Sequence, residues 1–354
     1  MLRPARRLLL SCAPYAERIA DHHRLLRLAP KLRRLAAQWL ALPELIAPAT
    51  QASTWGIPVG IEGFEGQVIS PWFEIALAGV WLRETRAPGA HTICCFGTDN
   101  AFLYLVHDPA IALALDPAAP LPIALAANEF LLLDDAKMST SRAHALDAQT
   151  TLANAPADLV RLYLAKIRPE DAPTSSNVQG ATMFVNFIAR YWQDWLERLG
   201  RTIADEAGSK APEPSNPSLA PWSPEHVQFM RYLQDLATRA RGGYDTLSLR
   251  EVAVACTELV ERATTFGTAQ KHLAGVAGLE SQRQTGLALE LAAARTLAII
   301  AAPLMPTFAL TIWRCLGFAG AVAWFDEVAP LPPEQPIAAE LLASRRFFPP
   351  WIQL

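Results

Sequence analysis

Cysteine is scarce in this sequence, and the spacing of the few cysteines excludes a cysteine-based metal site. They form no C-x-x-C pair and no cluster with histidine at metal-ligand spacing, so we expect no zinc or other metal site. Such isolated cysteines are typical of buried free thiols in a reducing compartment. The five are Cys12, Cys94, Cys95, Cys256 and Cys315.

An excess of positive charge is also missing. The 354 residues carry 31 basic and 34 acidic side chains, a net charge of -3, which excludes a global electrostatic footprint for nucleic acid. A local basic cluster lies near the start, and we interpret it as the solvated face of a helix rather than a partner patch. His22 and His23 are expected to be exposed on the same helix. The cluster consists of Arg24, Arg27, Lys31, Arg33 and Arg34.

No long uncharged apolar run is present. The most apolar stretch, Leu287 to Leu310, contains Glu290, Arg295 and two prolines, which is typical of a buried helix and not of a membrane span. The first thirteen residues have too short an apolar core for a secretory signal. We therefore predict a cytoplasmic protein without a membrane partner.

The first part of the chain has an α/β pattern. Apolar residues recur at helical spacing from Ala16 to Leu42, and three short apolar segments, Gln67 to Ile75, Thr92 to Phe96 and Ile123 to Leu133, are predicted strands. Strands separated by helices imply a parallel sheet with covered faces. The strands are too few for a complete doubly wound domain.

The second part is helical almost throughout, which predicts an all-α bundle after the α/β region. Helices are predicted over Ala157 to Ala165, Gly180 to Leu199, Leu249 to Thr265 and Gly286 to Ala302, with a proline-rich linker from Asp205 to Pro224. The predicted domains are a helical segment 1–54, an α/β domain 55–152, first bundle helices 153–205, a linker 206–224 and a bundle 225–354.

Lys137 to Ser141 reads Lys-Met-Ser-Thr-Ser and follows an apolar run. A lysine beside hydroxyl groups on a loop suits a polyphosphate, because the ammonium and the O–H and N–H donors can follow phosphate oxygens as charge builds up. The pentapeptide alone also fits an ordinary solvated turn. Its flanking motifs favour the phosphate interpretation.

The order of motifs resembles the methionyl-tRNA synthetase family of class I aminoacyl-tRNA synthetases. Trp55 to Val59 resembles W-G-I-P-V, Trp72 to Glu74 resembles a W-F-D strand, and Gly97 to Asn100 resembles G-K-D-N. Asn128 to Leu131 and Lys137 to Ser141 resemble the strand and loop of K-M-S-K-S. Further matches are Ala157 to Leu164, Arg168 to Glu170, Ala302 to Pro306, Leu316 with Gly317, and Phe347 to Pro349.

The resemblance implies the C-terminal half of a Rossmann-like nucleotide-binding domain followed by an anticodon-binding-like bundle. It also implies ATP with Mg²⁺ and an amino acid as ligands, with catalytic roles for Lys137, Ser139 and Ser141 and ATP contacts from Gly97, Asp99 and Lys137. Asp99 fits equally well as a helix cap. The family's H-I-G-H motif and zinc knuckle are absent from this sequence, and Thr98 and Thr140 stand where the family has lysines.

The amino-acid pocket implied by the resemblance is altered. Trp72 is kept, whereas Ala76 and Gly79 stand where the family has proline and tyrosine, and Tyr104 stands where it has histidine. A different or larger amino acid is therefore expected. Trp72 also fits an ordinary core position.

The family's anticodon readers are not matched, since Trp195 and Leu199 lie near the positions of the first pair. Two hypotheses follow. One is an ATP-dependent ligase that forms an aminoacyl adenylate and transfers the acyl group to tRNA or to a small molecule, with the missing half-site supplied upstream or by a partner polypeptide. The other is a noncatalytic module that binds tRNA, nucleotide or a protein. In either case we expect this chain to expose an apolar sheet edge or face.

Overall fold

The computed structural model describes residues 6–349, without 27, 88, 217–221 and 326, together with residue 352. The chain forms two compact units: unit 1 comprises residues 1–130 and 169–173, and unit 2 comprises residues 131–168 and 174–354. The Lys137 to Ser141 segment therefore belongs to the second unit, with the helices. Arg27 of the basic cluster, and Pro217 and Pro221 of the predicted linker, lie outside the described residues.

Unit 1 combines short strands with helices. Ala16 to Leu42 forms two helices and not one, because Pro30 begins the second and the preceding Ala29 is extended. The predicted helical segment 1–54 also contains strands, which pair β1 with β2 and β3 with β4. The elements are β1 Leu9–Ser11, α1 Ala16–Leu25, α2 Pro30–Leu40, β2 Ile46–Pro48, β3 Thr50–Ala52, β4 Gln67–Ile69, α3 Pro71–Thr85, β5 Ile93–Gly97, α4 Asp108–Leu115 and β6 Ala124–Asn128.

The predicted strand Gln67 to Ile75 is wrong in its second half. The strand ends at Ile69, and α3 begins at Pro71 after the extended Ser70. Proline has no N–H for a strand ladder and a φ suited to the first helical position, so it stops the strand and starts the helix. Trp72 consequently lies in the first turn of a helix.

The two parallel strands β5 and β6 form the centre of the unit. They pair in register from Ile93 with Ala124 to Gly97 with Asn128. Phe96 and Leu125 of these strands are buried against Ile19 and Leu32 of the first two helices. This packing places the carboxyl ends of both strands side by side, which is where parallel sheets bind ligands.

Unit 2 opens with a small sheet of order β8-β7-β9 and continues as helices. The helices predicted from periodicity are all present, because each has an apolar face that packs on a neighbour: α8 on α9, α9 on α10, and α7 on α12. The elements are β7 Leu131–Leu133, β8 Ala136–Lys137, α5 Ala148–Asn154, α6 Ala157–Lys166, β9 Thr174–Ser176, α7 Val178–Ala207, α8 Pro224–Thr246, α9 Leu249–Ala269, α10 Glu280–Ala301, α11 Pro306–Cys315 and α12 Ala339–Ser344.

The central helix of the bundle is α10. It is the one helix among the described residues with the length and apolarity of a membrane span, and 89% of its most apolar stretch is buried inside the unit. Its neighbours supply a continuous apolar core that includes Trp192, Leu233 and Leu259. The apolar run of the sequence is thus explained by packing among helices.

His23 is buried, contrary to the exposed position predicted for it. Neither ring nitrogen has a hydrogen-bond partner among the described residues. Burial, together with the nearby His22 and Arg33, lowers the pKa of His23 to about 4. The folded unit therefore holds the neutral imidazole, because protonation would place an unpaired charge in the core.

A pH dependence of stability follows from this burial. The unfolded chain binds a proton at His23 below about pH 6.5, whereas the folded chain does not until about pH 4. The contribution of the neutral His23 to the free energy of unfolding of unit 1 should be complete above pH 6.5. It should decrease by up to about 3 kcal/mol between pH 6.5 and pH 4. Denaturant titrations across this range measure it. His23→Leu should remove this loss, whereas His91→Leu, at an exposed position of the same unit, should retain it.

Candidate functional site

The carboxyl edge of the parallel sheet carries the first group of predicted site residues. β5 ends at Gly97, and Thr98, Asp99 and Asn100 form a single helical turn directly after it. A side chain at Gly97 would meet the Asp99 carboxylate, since a Cβ there would lie 2.5 Å from Oδ1. The absence of a side chain lets the exposed Asp99 fold back over the strand end. The structure thus brings together Gly97 and Asp99, two of the three predicted ATP-binding residues.

The sequence analysis missed an ion pair at this edge of the sheet, between Lys31 and Glu129. Glu129 directly follows β6, accepts a hydrogen bond from Thr98 Oγ1 at 2.9 Å, and forms an ion pair with the Lys31 ammonium. Lys31 belongs to the cluster interpreted as a solvated face. The Lys31 ammonium of α2 therefore lies at this edge of the sheet. Thr98, which stands where the family has a lysine, carries no charge there.

Trp72 and Tyr104 line one cavity of about 350 Å³ between α3 and the segment that follows β5. Tyr104 stacks on Phe96, with ring centroids 4.5 Å apart. The structure therefore places both predicted pocket residues on the wall of one cavity. The remaining wall is mostly apolar and includes Ile75, Ala76, Gly79, Leu82 and Leu103.

A buried ion pair, also missed by the sequence analysis, lies at the same cavity. Arg83 Nη2 donates to Asp108 Oδ1 at 3.0 Å, and both side chains line the cavity. Burial raises the pKa of Asp108, and Arg83 opposes that shift. Burial also raises the pKa of Cys94 to about 11 and lowers the pKa of His107. Residue spacing in the sequence does not indicate this ion pair. Asp108 directly follows His107 within a stretch whose apolar residues have helical spacing.

Lys137 ends strand β8 of a tight hairpin in unit 2. Leu132 pairs with Lys137, and Leu133 pairs with Ala136, around two aspartates that both have positive φ. This geometry is that of a two-residue hairpin turn. The backbone N–H of Asp134 donates to Ser176 O at 2.9 Å, which ties the turn to β9. An exposed lysine is thus held at a defined strand end.

The hydroxyl groups after Lys137 lie in a closed turn. The backbones of Ser139 and His144 bond each other at 2.6 and 3.0 Å, and His144 Nε2 lies 2.8 Å from Leu133 O. The Ser139 and Ser141 hydroxyl oxygens are 3.1 Å apart. Lysine and two hydroxyl groups are therefore presented by one ordered segment, the arrangement that polyphosphate binding requires.

The bundle positions nearest the family's anticodon readers differ in burial. Trp195 and Leu199, near the first pair of readers, belong to the core of unit 2. Near the other reader, Gln270 is buried, whereas Lys271 and His272 are exposed. Trp195 Nε1 donates to the buried carboxylate of Glu290 at 3.1 Å, and Arg198 forms an ion pair with the same group. These side chains stabilise the bundle and present no base-reading surface.

The described cysteines and metal-ligand residues give two further findings. All five cysteines are free, and Cys95 is exposed, so its predicted burial is wrong. Within the described part of the chain, no group of three or more His, Cys, Asp or Glu side chains could hold a metal ion.

Unit 1 exposes apolar side chains on a helix, whereas the sequence analysis predicted an exposed apolar sheet edge or face. The exposed apolar side of this helix, termed the α3 face, consists of Trp72, Ile75, Trp81 and Leu82, each more than two fifths exposed. At about 3.6 residues per turn, these side chains spread over about half of the helix circumference. A second cavity, of about 640 Å³, borders this face and is lined by Trp55, Ile57 and Ile75 among others. Apolar patches of this kind mark interaction sites.

Comparison with known proteins gives a consistent result. Residues 19–199, about half of the chain, match the family tRNA synthetases class I (M). The methionine–tRNA ligase of Pyrobaculum arsenaticum is 26% identical over 306 residues, which cover 80% of this chain and 52% of that protein. The methionine–tRNA ligase of Thermomicrobium roseum is 30% identical over 189 residues, which cover 47% of this chain. The chain thus spans about half the length of the first of these relatives.

The fold also matches a solved structure. Methionyl-tRNA synthetase from Mycobacterium tuberculosis, bound by methionyl-adenylate, aligns with a TM-score of 0.74 at 18% identity, covering 96% of this chain and 68% of that one. This similarity confirms the predicted fold class, part of a Rossmann-like domain followed by a helical bundle.

Proposed function

This chain belongs to the methionyl-tRNA synthetase family of class I aminoacyl-tRNA synthetases, and from that membership we propose that it contributes half of a site for ATP-dependent amino-acid activation. ATP, with Mg²⁺, and an amino acid would give an aminoacyl adenylate and pyrophosphate. The proposed nucleotide contacts are Gly97 and Asp99, and the proposed amino-acid contacts are Trp72 and Tyr104. The proposed phosphate contacts are Lys137, Ser139 and Ser141. A reducing cytoplasm is the proposed compartment, since the described cysteines are free thiols.

The observation that carries this proposal is the carboxyl edge of β5 and β6. Gly97 and Asn128 end neighbouring parallel strands in register, and Asp99 and Glu129 follow them. Ligands of open α/β sheets bind at this edge. The cavity lined by Trp72 and Tyr104 is formed by the same unit, which would bring the reacting carboxyl group and the nucleotide together.

Amino-acid-dependent exchange of pyrophosphate into ATP tests the proposal. The full chain would be combined with a polypeptide corresponding to the half of the relatives that this chain does not match. Exchange with at least one amino acid is expected. Its absence with every amino acid would sink the enzymatic hypothesis and favour a noncatalytic module. Thr98 and Thr140, in place of lysines, are the features that favour that module.

The missing half-site would come from a polypeptide that covers the α3 face. The chain matches only about half of its relatives' length, and the α3 face is apolar and exposed. Covering it would remove large apolar side chains from water, each worth roughly 1.5 to 3 kcal/mol when fully buried.

A charge placed on this face should block complementation. Trp81 is 62% exposed, so Trp81→Lys should leave the folding of the chain intact. It should weaken association with the complementing polypeptide at least about tenfold, because a buried unpaired charge costs several kcal/mol. Calorimetric titration measures this. Leu25→Lys is the matched control, since Leu25 is 84% exposed on α1. Equal loss of affinity in both variants would argue against the α3 face.

The acceptor proposed for the activated amino acid is a small molecule, with tRNA as the alternative. The burial of Trp195, Leu199 and Gln270 supports this choice, because buried side chains cannot stack on or bond to bases. The exposed Lys271 and His272 support the tRNA alternative. Filter binding of tRNA at several salt concentrations separates the two. Tight binding with a steep salt dependence would favour tRNA.

A further inference from the structure

The cavity of unit 1 has a polar floor under apolar walls. Arg83 and Asp108 are 4% and 7% exposed, and Arg83 Nε also donates to Pro120 O at 3.0 Å. The walls come from side chains such as Trp72, Ile75 and Leu103. A ligand in this cavity would therefore have an apolar stem, and one end of it would meet the buried charged pair.

Hydrogen-bonding capacity remains unused on this floor. Asp108 Oδ1 accepts from Arg83, while Oδ2 receives no hydrogen bond from the described residues. His107 is 2% exposed, lines the same cavity, and has no described partner for Nε2. Buried polar atoms without partners are rare in native proteins, because each loses its hydrogen bonds to water without a replacement. His107 Nε2 is such an atom, and the neighbouring Asp108 Oδ2 is a carboxylate oxygen without a described hydrogen bond. Both point to a ligand that supplies a partner.

Gly79 keeps the floor accessible. A Cβ at this position would lie 3.3 Å from Arg83 Nη1 and 3.4 Å from Asp108 Oδ1. A long side chain would therefore cover the ion pair or displace it. With Ala76 and Ala78 beside it on the cavity wall, Gly79 leaves the carboxylate open to the cavity.

We propose that this cavity binds an amino acid whose neutral side chain ends in an N–H or O–H donor, an amide or a hydroxyl, which Asp108 Oδ2 accepts. This inference rests on the proposed function and names its substrate class. A thioether or alkyl end would leave Asp108 and His107 without a partner, so the site rejects methionine. A cationic end is disfavoured as well, because Arg83 already balances the Asp108 charge and would repel a second cation.

Binding of free amino acids to the full chain tests the inference, since this chain forms the whole described lining of the cavity. L-Glutamine and L-tyrosine are the donor probes. L-Methionine and L-norleucine are the controls, because both resemble glutamine in length and lack the donor. Calorimetric titration should show glutamine or tyrosine binding at least about tenfold more tightly than either control, as expected when a buried acceptor is left unpaired. Equal affinities, or no saturable binding of either donor probe, would overturn the inference.

Two variants test whether the Arg83–Asp108 pair on the cavity floor causes the preference for donor side chains. A single Asp108 change strands a buried arginine and risks unfolding. We therefore choose the double variant Arg83→Met with Asp108→Leu, which removes both charges and tends to preserve stability. It should reverse the preference toward methionine and norleucine. Leu82→Trp, at an exposed position on the cavity wall, should weaken all probes. An unchanged preference in the double variant, or unchanged binding in Leu82→Trp, would contradict the assignment.

The outcomes also separate this inference from the proposed function. Glutamine binding without any pyrophosphate exchange in the complemented protein would remove the catalytic proposal and leave the substrate site standing. Exchange that is selective for methionine would uphold the catalytic proposal and overturn the substrate class.

Discussion

Lys137→Ala is expected to lower pyrophosphate exchange in the complemented protein by about 10²- to 10³-fold, the usual loss when one donor to a developing charge is removed. Lys137 is exposed at the end of β8, immediately before the hydroxyl groups of Ser139 and Ser141. Its ammonium would act on charge that builds up on the departing pyrophosphate. The turnover number should therefore fall more than the affinity for ATP.

The stability of unit 2 supplies the check on this interpretation. An exposed lysine contributes little to the core, so the thermal midpoint of the Lys137→Ala protein should match that of the unchanged chain. Lys271→Ala is the matched control, because Lys271 is an exposed lysine of the same unit, and it should leave exchange intact. A loss of roughly 2 to 5 kcal/mol in Lys137→Ala, the size of a core deletion, would instead identify Lys137 as a structural residue.

Glu290→Ala is expected to destabilise unit 2 by about 3 to 5 kcal/mol, the cost of removing one partner from a buried ion pair. Glu290 is 1% exposed on α10. It accepts hydrogen bonds from Trp195 Nε1 and Arg198 of α7, so its loss leaves both donors unpaired. Gly267 of α9 provides room for the carboxylate, since a Cβ there would lie 2.2 Å from Oε1.

Denaturant titration followed by helical circular dichroism measures this loss. Glu251→Ala is the matched control, because the Glu251 pair with Arg239 is close to half exposed; exposed pairs contribute roughly 0 to 1 kcal/mol. A similar small loss in Glu290→Ala would mean that the pair does not hold α7 on α10. Trp195 would then be free to move from the core, and its burial would no longer exclude contact with a base.

Local pattern predicted the helices well and two strands poorly. The segment predicted as one strand from Ile123 to Leu133 is two strands of separate sheets, Ala124–Asn128 and Leu131–Leu133. Helices α6, α7, α9 and α10 were recognisable because their apolar residues recur every three to four positions, a signal that lies within each segment. The pattern of Trp72 to Ile75 does not distinguish a strand from a helix, since a short apolar run suits either. Pro71 decided the outcome by its missing N–H and its restricted φ.

The residues of the candidate site also fall into two groups, those in local motifs of the sequence and those that only the folded structure brings together. Gly97, Asp99, Lys137 and Ser139 were predicted from the sequence because they lie in contiguous motifs. Lys31 and Glu129 are 98 positions apart, and Arg83 and Asp108 are 25 positions apart, so neither pair leaves a local signal. His23 shows the same limit, because its burial depends on packing contributed by other segments. Only the folded chain brings such groups within bonding distance.

The sequence by itself therefore determined the family, the order of the α/β and helical regions, and the motif residues of the candidate site, since all of these are encoded in neighbouring residues. The tertiary structure decided that Trp72 and Tyr104 share a cavity, that Arg83 and Asp108 form its floor, and that Trp195 and Leu199 belong to a core. The physical reason is that burial and ion pairing are properties of side chains distant in sequence, and they exist only once the chain has folded.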